Sequence, residues 1–181
     1  MQKVKVAGFT LIELMVTLAI LVILATVAIP NLTPFLDSSR FRGVTGDLSS
    51  TLALARSEAI KRGAFVSVTG EGTGGNFGQG WTVFLDASPP TGVVETTSTI
   101  LLRQATLGPD ISAVALVGGS QNFLTFDRLG RLVLSNLGAG AGSVTVKIGD
   151  ASSPRKKGTM CLAWGGRSRQ VENVIGTGAC T

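Results

Sequence analysis

A segment of 21 mostly apolar residues, from Phe9 to Ile29, is the feature that most constrains how this chain can fold. A helix of that length rises about 30 Å, the thickness of the hydrocarbon core of a bilayer. The sequence therefore predicts a single membrane-spanning helix. Lys3 and Lys5 precede the segment. Because basic flanks stay in the cytoplasm, we expect the residues before the segment on the cytoplasmic side of the membrane and the residues after it on the opposite side.

Glu13 interrupts the apolar segment near its start. A charged carboxylate inside lipid costs on the order of 2.5 kcal/mol, so such a residue usually has a partner or a function. The alternative is a signal peptide or a plain anchor with an incidental polar residue. A signal peptide would have a shorter apolar core and a cleavage site of small residues, whereas this run is longer and ends at Pro30 and Asn31.

The stretch GFTLIE at residues 8–13, followed by the apolar run, resembles the class III signal of type IV prepilins and type II secretion pseudopilins. The resemblance implies that prepilin peptidase cleaves between Gly8 and Phe9 and methylates the new N-terminus. It implies that Glu13, unpaired in the bacterial inner membrane, pairs with the N-terminal amine of a neighbouring pilin during filament assembly. The C-terminal domain would then lie in the periplasm before it enters a pilus or pseudopilus. Pro30 matches the proline that bends the helix in this family.

Helical periodicity continues beyond Pro30. It predicts that the helix at residues 9–30 extends as an amphipathic helix over residues 31–63. Charged residues occupy the other positions of this pattern, and Gly63 is a typical stop signal. The residues expected to face a globular domain are Leu48, Leu52, Ala55, Ala59 and Ile60, whereas Arg56, Glu58, Lys61 and Arg62 are expected to face elsewhere.

After Gly63 the sequence changes to short runs rich in Val, Phe, Thr and Leu, separated by turn residues. Strands are predicted at residues 64–70, 80–86, 98–106, 122–134, 142–149 and 158–166, with turns near 72–80, 89–90 and 138–142. The glycine-rich stretch at 70–80 lacks the Gly-Lys-Ser/Thr of a phosphate loop and is interpreted as a flexible strand connection. With residues 1–8 as a leader, the prediction is an α+β pilin fold, in which residues 64–181 form a C-terminal antiparallel β domain.

Two cysteines, Cys161 and Cys180, are present and histidine is absent. An oxidising exported compartment favours a bridge between them, which would contribute about 3 kcal/mol on the loop-entropy model. Two free thiols are the alternative. No cofactor, no metal site and no catalytic constellation is predicted from the sequence, so we interpret the chain as a structural or binding protein and not an enzyme.

Basic residues are concentrated in the last part of the chain. Residues 9–146 contain eight Lys and Arg against nine Asp and Glu, whereas residues 147–181 contain six against two. Two short segments supply most of this charge, namely Arg155, Lys156 and Lys157 in one and Arg167 and Arg169 in the other. Clustered cations attract nucleic-acid backbones, although solvated surface charge explains the composition equally well.

The segments LALARSEAIKRG (52–63), GWTVFLD (80–86), FDRLGRLVL (126–134) and CLAWGGRSRQ (161–170) together resemble the GspH/FimT branch of the pilin-like family. Gly166-Arg167-Ser168-Arg169 matches the Gly-Arg-x-Arg motif of FimT-type minor pilins, and the resemblance implies non-specific binding of double-stranded DNA in natural transformation. If residues 167–169 are extended, both arginines share a face. A FimU-type minor pilin that primes pilus assembly, or an H-type pseudopilin of type II secretion, is the alternative function.

Overall fold

The computed structural model describes residues 8–108, 110–116, 123–133, 142–149, 152–174 and 180, and the side chains of 27–31 and 114–116 lie outside that set. The chain divides into two compact units, Met1–Leu36 and Asp37–Thr181. One helix, α1 (Leu11–Arg62), is followed by nine described strands. Among the described residues, no helix is both long and apolar enough to cross a membrane.

The strands are β1 (Val66–Gly72), β2 (Asn76–Leu85), β3 (Ile100–Gln104), β4 (Ile111–Leu116), β5 (Phe123–Phe126), β6 (Leu132–Val133), β7 (Gly142–Gly149), β8 (Pro154–Leu162) and β9 (Ser168–Glu172). They form one sheet in the order β6-β5-β1-β2-β4-β7-β8-β9, with β3 paired to β2. Every described pairing is antiparallel. The predicted α+β class, a long N-terminal helix followed by an antiparallel β domain, is confirmed.

The core of the Asp37–Thr181 unit lies between the helix and one face of the sheet. Leu48, Leu52, Ala55 and Ala59 are buried as predicted, and Phe41 and Val44 extend the same helical stripe. The sheet contributes alternate residues, among them Val66, Val68, Trp81, Val144, Val146 and Met160. The indole Nε1 of Trp81 donates to Thr51 Oγ1 on the helix at 3.1 Å, which satisfies its polar atom inside the core.

The prediction that Ile60 faces the core is wrong, since its side chain is 51% exposed. Ile60 directly follows the buried Ala59, and on a helix successive residues are turned by about 100° from one another. The core stripe therefore passes through Ala59, and Ile60 lies at its border against the turn that contains Gly130.

Several of the strand predictions need correction. The sequence pattern missed β4 and β9, and the run predicted at 122–134 is divided into β5 and β6 by a turn at 127–131. Strand β8 begins at Pro154, so Arg155, Lys156 and Lys157 lie within a strand. The stretch 70–80 is mostly β1 and β2 joined by a tight hairpin, so the prediction of a flexible connection there is wrong. Most of the turn predicted at 138–142 lies outside the described residues.

Candidate nucleic-acid interface

Two hairpin turns of the same construction lie next to each other, although they connect strands at opposite ends of the sheet order. In the first turn Asp127 N donates to Arg131 O at 2.9 Å, and Gly130 N donates to Asp127 O at 2.8 Å. In the second turn, residues 163–167, the corresponding bonds are both 2.8 Å. Each contains a glycine in the left-handed region, Gly130 at φ 72° and Gly166 at φ 76°, followed directly by an arginine. We call these the paired turns.

Arg56 on the helix fills the space beneath both of the paired turns. A Cβ on Gly166 would lie 2.9 Å from Arg56 Cδ, and one on Gly130 would lie 3.0 Å from Arg56 Nε. Leu132 N, at the end of the first turn, donates to Trp164 O in the second at 2.9 Å. The prediction that Arg56 faces away from the domain is therefore wrong, because its side chain packs against the glycine of the Gly-Arg-x-Arg motif. No local sequence pattern predicts this contact.

Arg167 and Arg169 lie on one face and line one open pocket of about 380 Å³. The ladder places Arg169 directly opposite Cys161, so both project to the same side of the sheet, and Arg167 is two residues earlier. Both arginines are exposed, and within the described part of the chain no carboxylate pairs with either. We call this the arginine pocket; its lining is Cys161, Leu162, Ala163, Arg167, Ser168, Arg169 and Cys180.

A disulfide between Cys161 and Cys180 forms part of that lining, with an S–S distance of 2.04 Å and a Cα–Cα distance of 5.4 Å. The predicted bridge is confirmed. Cys161 is buried in β8, and Thr159 Oγ1 on the same face donates to Val174 O at 2.9 Å. These two contacts fasten the C-terminal part of the chain to the sheet face that carries the arginines.

The three basic residues of the other segment are not equivalent. Arg155 Nε and Nη2 donate to the two carboxylate oxygens of Asp37 at 2.9 and 3.2 Å, and these bonds lower the pKa of the nearly buried Asp37. Lys156 Nζ pairs with Glu172 at 2.7 Å and lies 5.8 Å from the centre of the Phe41 ring, on the core side. Lys157 projects to the opposite side, as Cys161 does. Of these three residues, therefore, only Lys157 shares a face with the arginine pocket.

At the N-terminal end, the predicted processing site precedes the helix. Gly8 and Phe9 are exposed, with Phe9 at 85%, and both lie before the first helical residue, Leu11. Glu13 Oε2 accepts from Thr10 N at 3.1 Å and from Thr10 Oγ1 at 3.2 Å, while Glu13 N donates to Thr10 Oγ1 at 3.2 Å. This is a capping box, which the spacing Thr-x-x-Glu could have predicted. Thr10 is a neutral partner, so the expectation that the charge of Glu13 is paired only by a neighbouring amine in the filament stays a prediction.

A helix followed by an antiparallel sheet is the fold of pilin-like proteins. The family described as type II transport protein GspH matches residues 44–166, and the prokaryotic N-terminal methylation motif matches residues 3–29. The chain belongs to the GspH family, a branch of the type IV pilin-like proteins that comprises structural components and not enzymes. No curated protein matches this sequence.

Solved structures share this fold at low sequence identity. The chain is similar to the type IV minor pilin FimU of Pseudomonas aeruginosa strain PAO1 in two crystal forms, with TM-scores of 0.55 and 0.51 and identities of 18% and 19%. These matches cover 76% and 72% of this chain and 92% and 91% of FimU. A match to the minor pseudopilin EpsH of the type 2 secretion system of Vibrio cholerae has a TM-score of 0.49 at 13% identity, over 74% of this chain and 98% of EpsH.

Proposed function

We propose that this minor pilin or pseudopilin binds double-stranded DNA without sequence preference through the arginine pocket, for uptake in natural transformation. One observation carries the proposal: Arg167 and Arg169 are exposed on one face, in one pocket, with no carboxylate partner among the described residues. Guanidinium groups placed in this way can each donate to a phosphate. Lys157 on the same face extends the cationic surface, whereas the charges of Arg155 and Lys156 are already used by Asp37 and Glu172.

The N-terminal unit has a separate role in this proposal. Prepilin peptidase cuts between the exposed residues Gly8 and Phe9, and the segment from Phe9 to Ile29 anchors the protein in the inner membrane with its C-terminal domain in the periplasm. Glu13 then exchanges its bonds to Thr10 for the N-terminal amine of a neighbouring pilin in the filament. The methylation motif at residues 3–29 supports the processing step.

The salt dependence of DNA binding tests the proposal directly. Each phosphate contact contributes about 0.9 to the slope of log affinity against log salt on duplex DNA, so Arg167→Gln with Arg169→Gln should reduce that slope by about 1.8. Because phosphate contacts carry no base information, the loss should be equal for unrelated duplex sequences. Fluorescence anisotropy of the full chain in detergent, over a salt series, measures both quantities.

A matched control removes the same charge elsewhere. Arg62 and Arg103 are partly exposed arginines outside the pocket, and each pairs with a carboxylate. Their double substitution to glutamine should leave the slope nearly unchanged, as should Lys156→Gln. Lys157→Gln should weaken binding. Undetectable binding by the unmodified chain at low salt, or equal losses for pocket and control variants, would replace this proposal with a role in pilus priming or in type II secretion.

A further inference from the structure

The second of the paired turns presents a half-exposed tryptophan beside the arginine pocket. Trp164 is 47% exposed, although large aromatic side chains usually gain from burial. It immediately follows Ala163 and lies three residues before Arg167, both of which line the pocket. The other tryptophan, Trp81, is fully buried in the core. Trp164 therefore places an aromatic surface on the same turn as Arg167, which has no carboxylate partner among the described residues.

The indole of Trp164 is held in position by the first of the paired turns. Arg131 Cζ lies 5.4 Å from the centre of the indole ring, a cation–π distance. Arg131 is itself fixed, because its Nε donates to Asp127 Oδ2 at 2.8 Å and its Nη2 lies 2.7 Å from the same oxygen. The backbone bond from Leu132 N to Trp164 O fixes the turn that carries the ring. The ring is thus preorganised, with about half of its surface open to solvent.

The charges on the paired turns favour a nucleic acid over a protein as the occupant. Arg128, Arg131 and Arg167 belong to the paired turns, and Arg169 follows in β9. The turns contain one carboxylate, Asp127, whose oxygens are engaged by Arg131 and by the amides of the first turn. An exposed aromatic ring on turns that also carry cations is the arrangement by which proteins stack unpaired bases while their cations hold phosphates.

We propose that the Trp164 indole stacks on an unpaired base, so that the interface binds single-stranded DNA as well as duplex. The inference rests on the proposed function, since the arginine pocket must first hold the DNA backbone. Duplex DNA hides its base faces within the stack and presents only phosphates to the pocket. A single strand or an open end also offers a base face to the ring. Trp164 is then a contact specific to unpaired DNA, and the two arginines are contacts shared by both forms.

The test compares two DNA ligands and three variants of the full chain in detergent. The ligands are a labelled oligothymidylate and a covalently closed circular duplex, which has no unpaired ends. Trp164→Leu should lose about tenfold in affinity for oligothymidylate, the scale of one stacked base, with duplex affinity unchanged. Trp164→Phe should keep most of that affinity because it retains a ring. The double variant Arg167→Gln with Arg169→Gln should bind both ligands with lower affinity.

Tryptophan emission provides a second readout that does not depend on affinity. Stacking should quench the emission of Trp164 when oligothymidylate binds, whereas the buried Trp81 should report no change. The Leu variant, which retains only Trp81, should therefore show no quenching. Circular dichroism confirms that the Leu variant has folded.

Each possible result has a defined meaning. Unchanged affinity of Trp164→Leu for oligothymidylate, or an equal loss for both ligands, would overturn the stacking inference and leave the arginine pocket intact. Normal DNA binding by that variant together with its loss from filaments would assign Trp164 to a protein neighbour and also overturn it. If the unmodified chain binds neither ligand, the proposed function itself fails.

Discussion

Gly166→Ala tests whether the paired turns and Arg56 form one packed unit. The substitution forces an L-residue to adopt φ 76°, which costs roughly 1–2 kcal/mol. It also brings a Cβ to 2.9 Å from Arg56 Cδ and 3.2 Å from Gly130 O, so the tightly packed arginine must move. Overpacking of this kind costs about 1–3 kcal/mol. We expect a total loss of about 3 kcal/mol in the free energy of unfolding.

Urea denaturation of the Asp37–Thr181 unit, which contains all the core residues that the structure describes, measures this loss. Gly165→Ala is the matched control, since nothing lies within 4 Å of its Cβ and its φ is not in the left-handed region. In an Arg56→Ala background, the cost of Gly166→Ala should fall to the backbone part, about 1–2 kcal/mol. If Gly166→Ala and Gly165→Ala cost the same, or if removing Arg56 changes nothing, the packing argument is refuted.

Two further predictions concern carboxylates. Glu13→Val should insert into the membrane normally but enter filaments poorly, because it lacks the charge that exchanges partners; wild-type levels in an immunoblot of sheared filaments would contradict this. Hydrogen bonds from Arg155 lower the pKa of Asp37 below 3.8, so this pair stabilises the fold above that pH and the stabilisation is lost as pH falls through the lowered pKa. Asp37→Asn should therefore flatten the decline of urea stability between about pH 5 and pH 2, and an unchanged decline would exclude the pair as its cause.

Local patterns predicted the features that depend on local spacing. The stripe Leu48, Leu52, Ala55 and Ala59 follows helical periodicity, and strand β7 has the predicted bounds of 142 and 149. Arg167 and Arg169, two residues apart, line one pocket, as expected for an extended segment. The Cys161–Cys180 bridge followed from the cysteine count and the expected compartment.

Features that depend on long-range pairing could not be predicted from one sequence. Strand β4 has the sequence ISAVAL, whose small residues give a weak strand signal, and its position depends on six cross-strand pairs with β7. The different roles of Lys156 and Lys157 depend on where β8 begins and on where Phe41 packs. Arg56 acquires its contacts only when two turns distant in sequence come together on the helix.

Strand β9 is the last strand in the described order of the sheet, and its outer edge has no described partner. An open edge is a template on which another chain can add a strand, and the risk rises when many copies are held side by side. Charged side chains make such an edge unattractive to a second strand, and Arg169 and Glu172 both lie on it, exposed. The charge at this edge therefore also protects the protein against aggregation. Replacing these charged residues of β9 with apolar ones would remove that protection, whether or not the protein binds DNA.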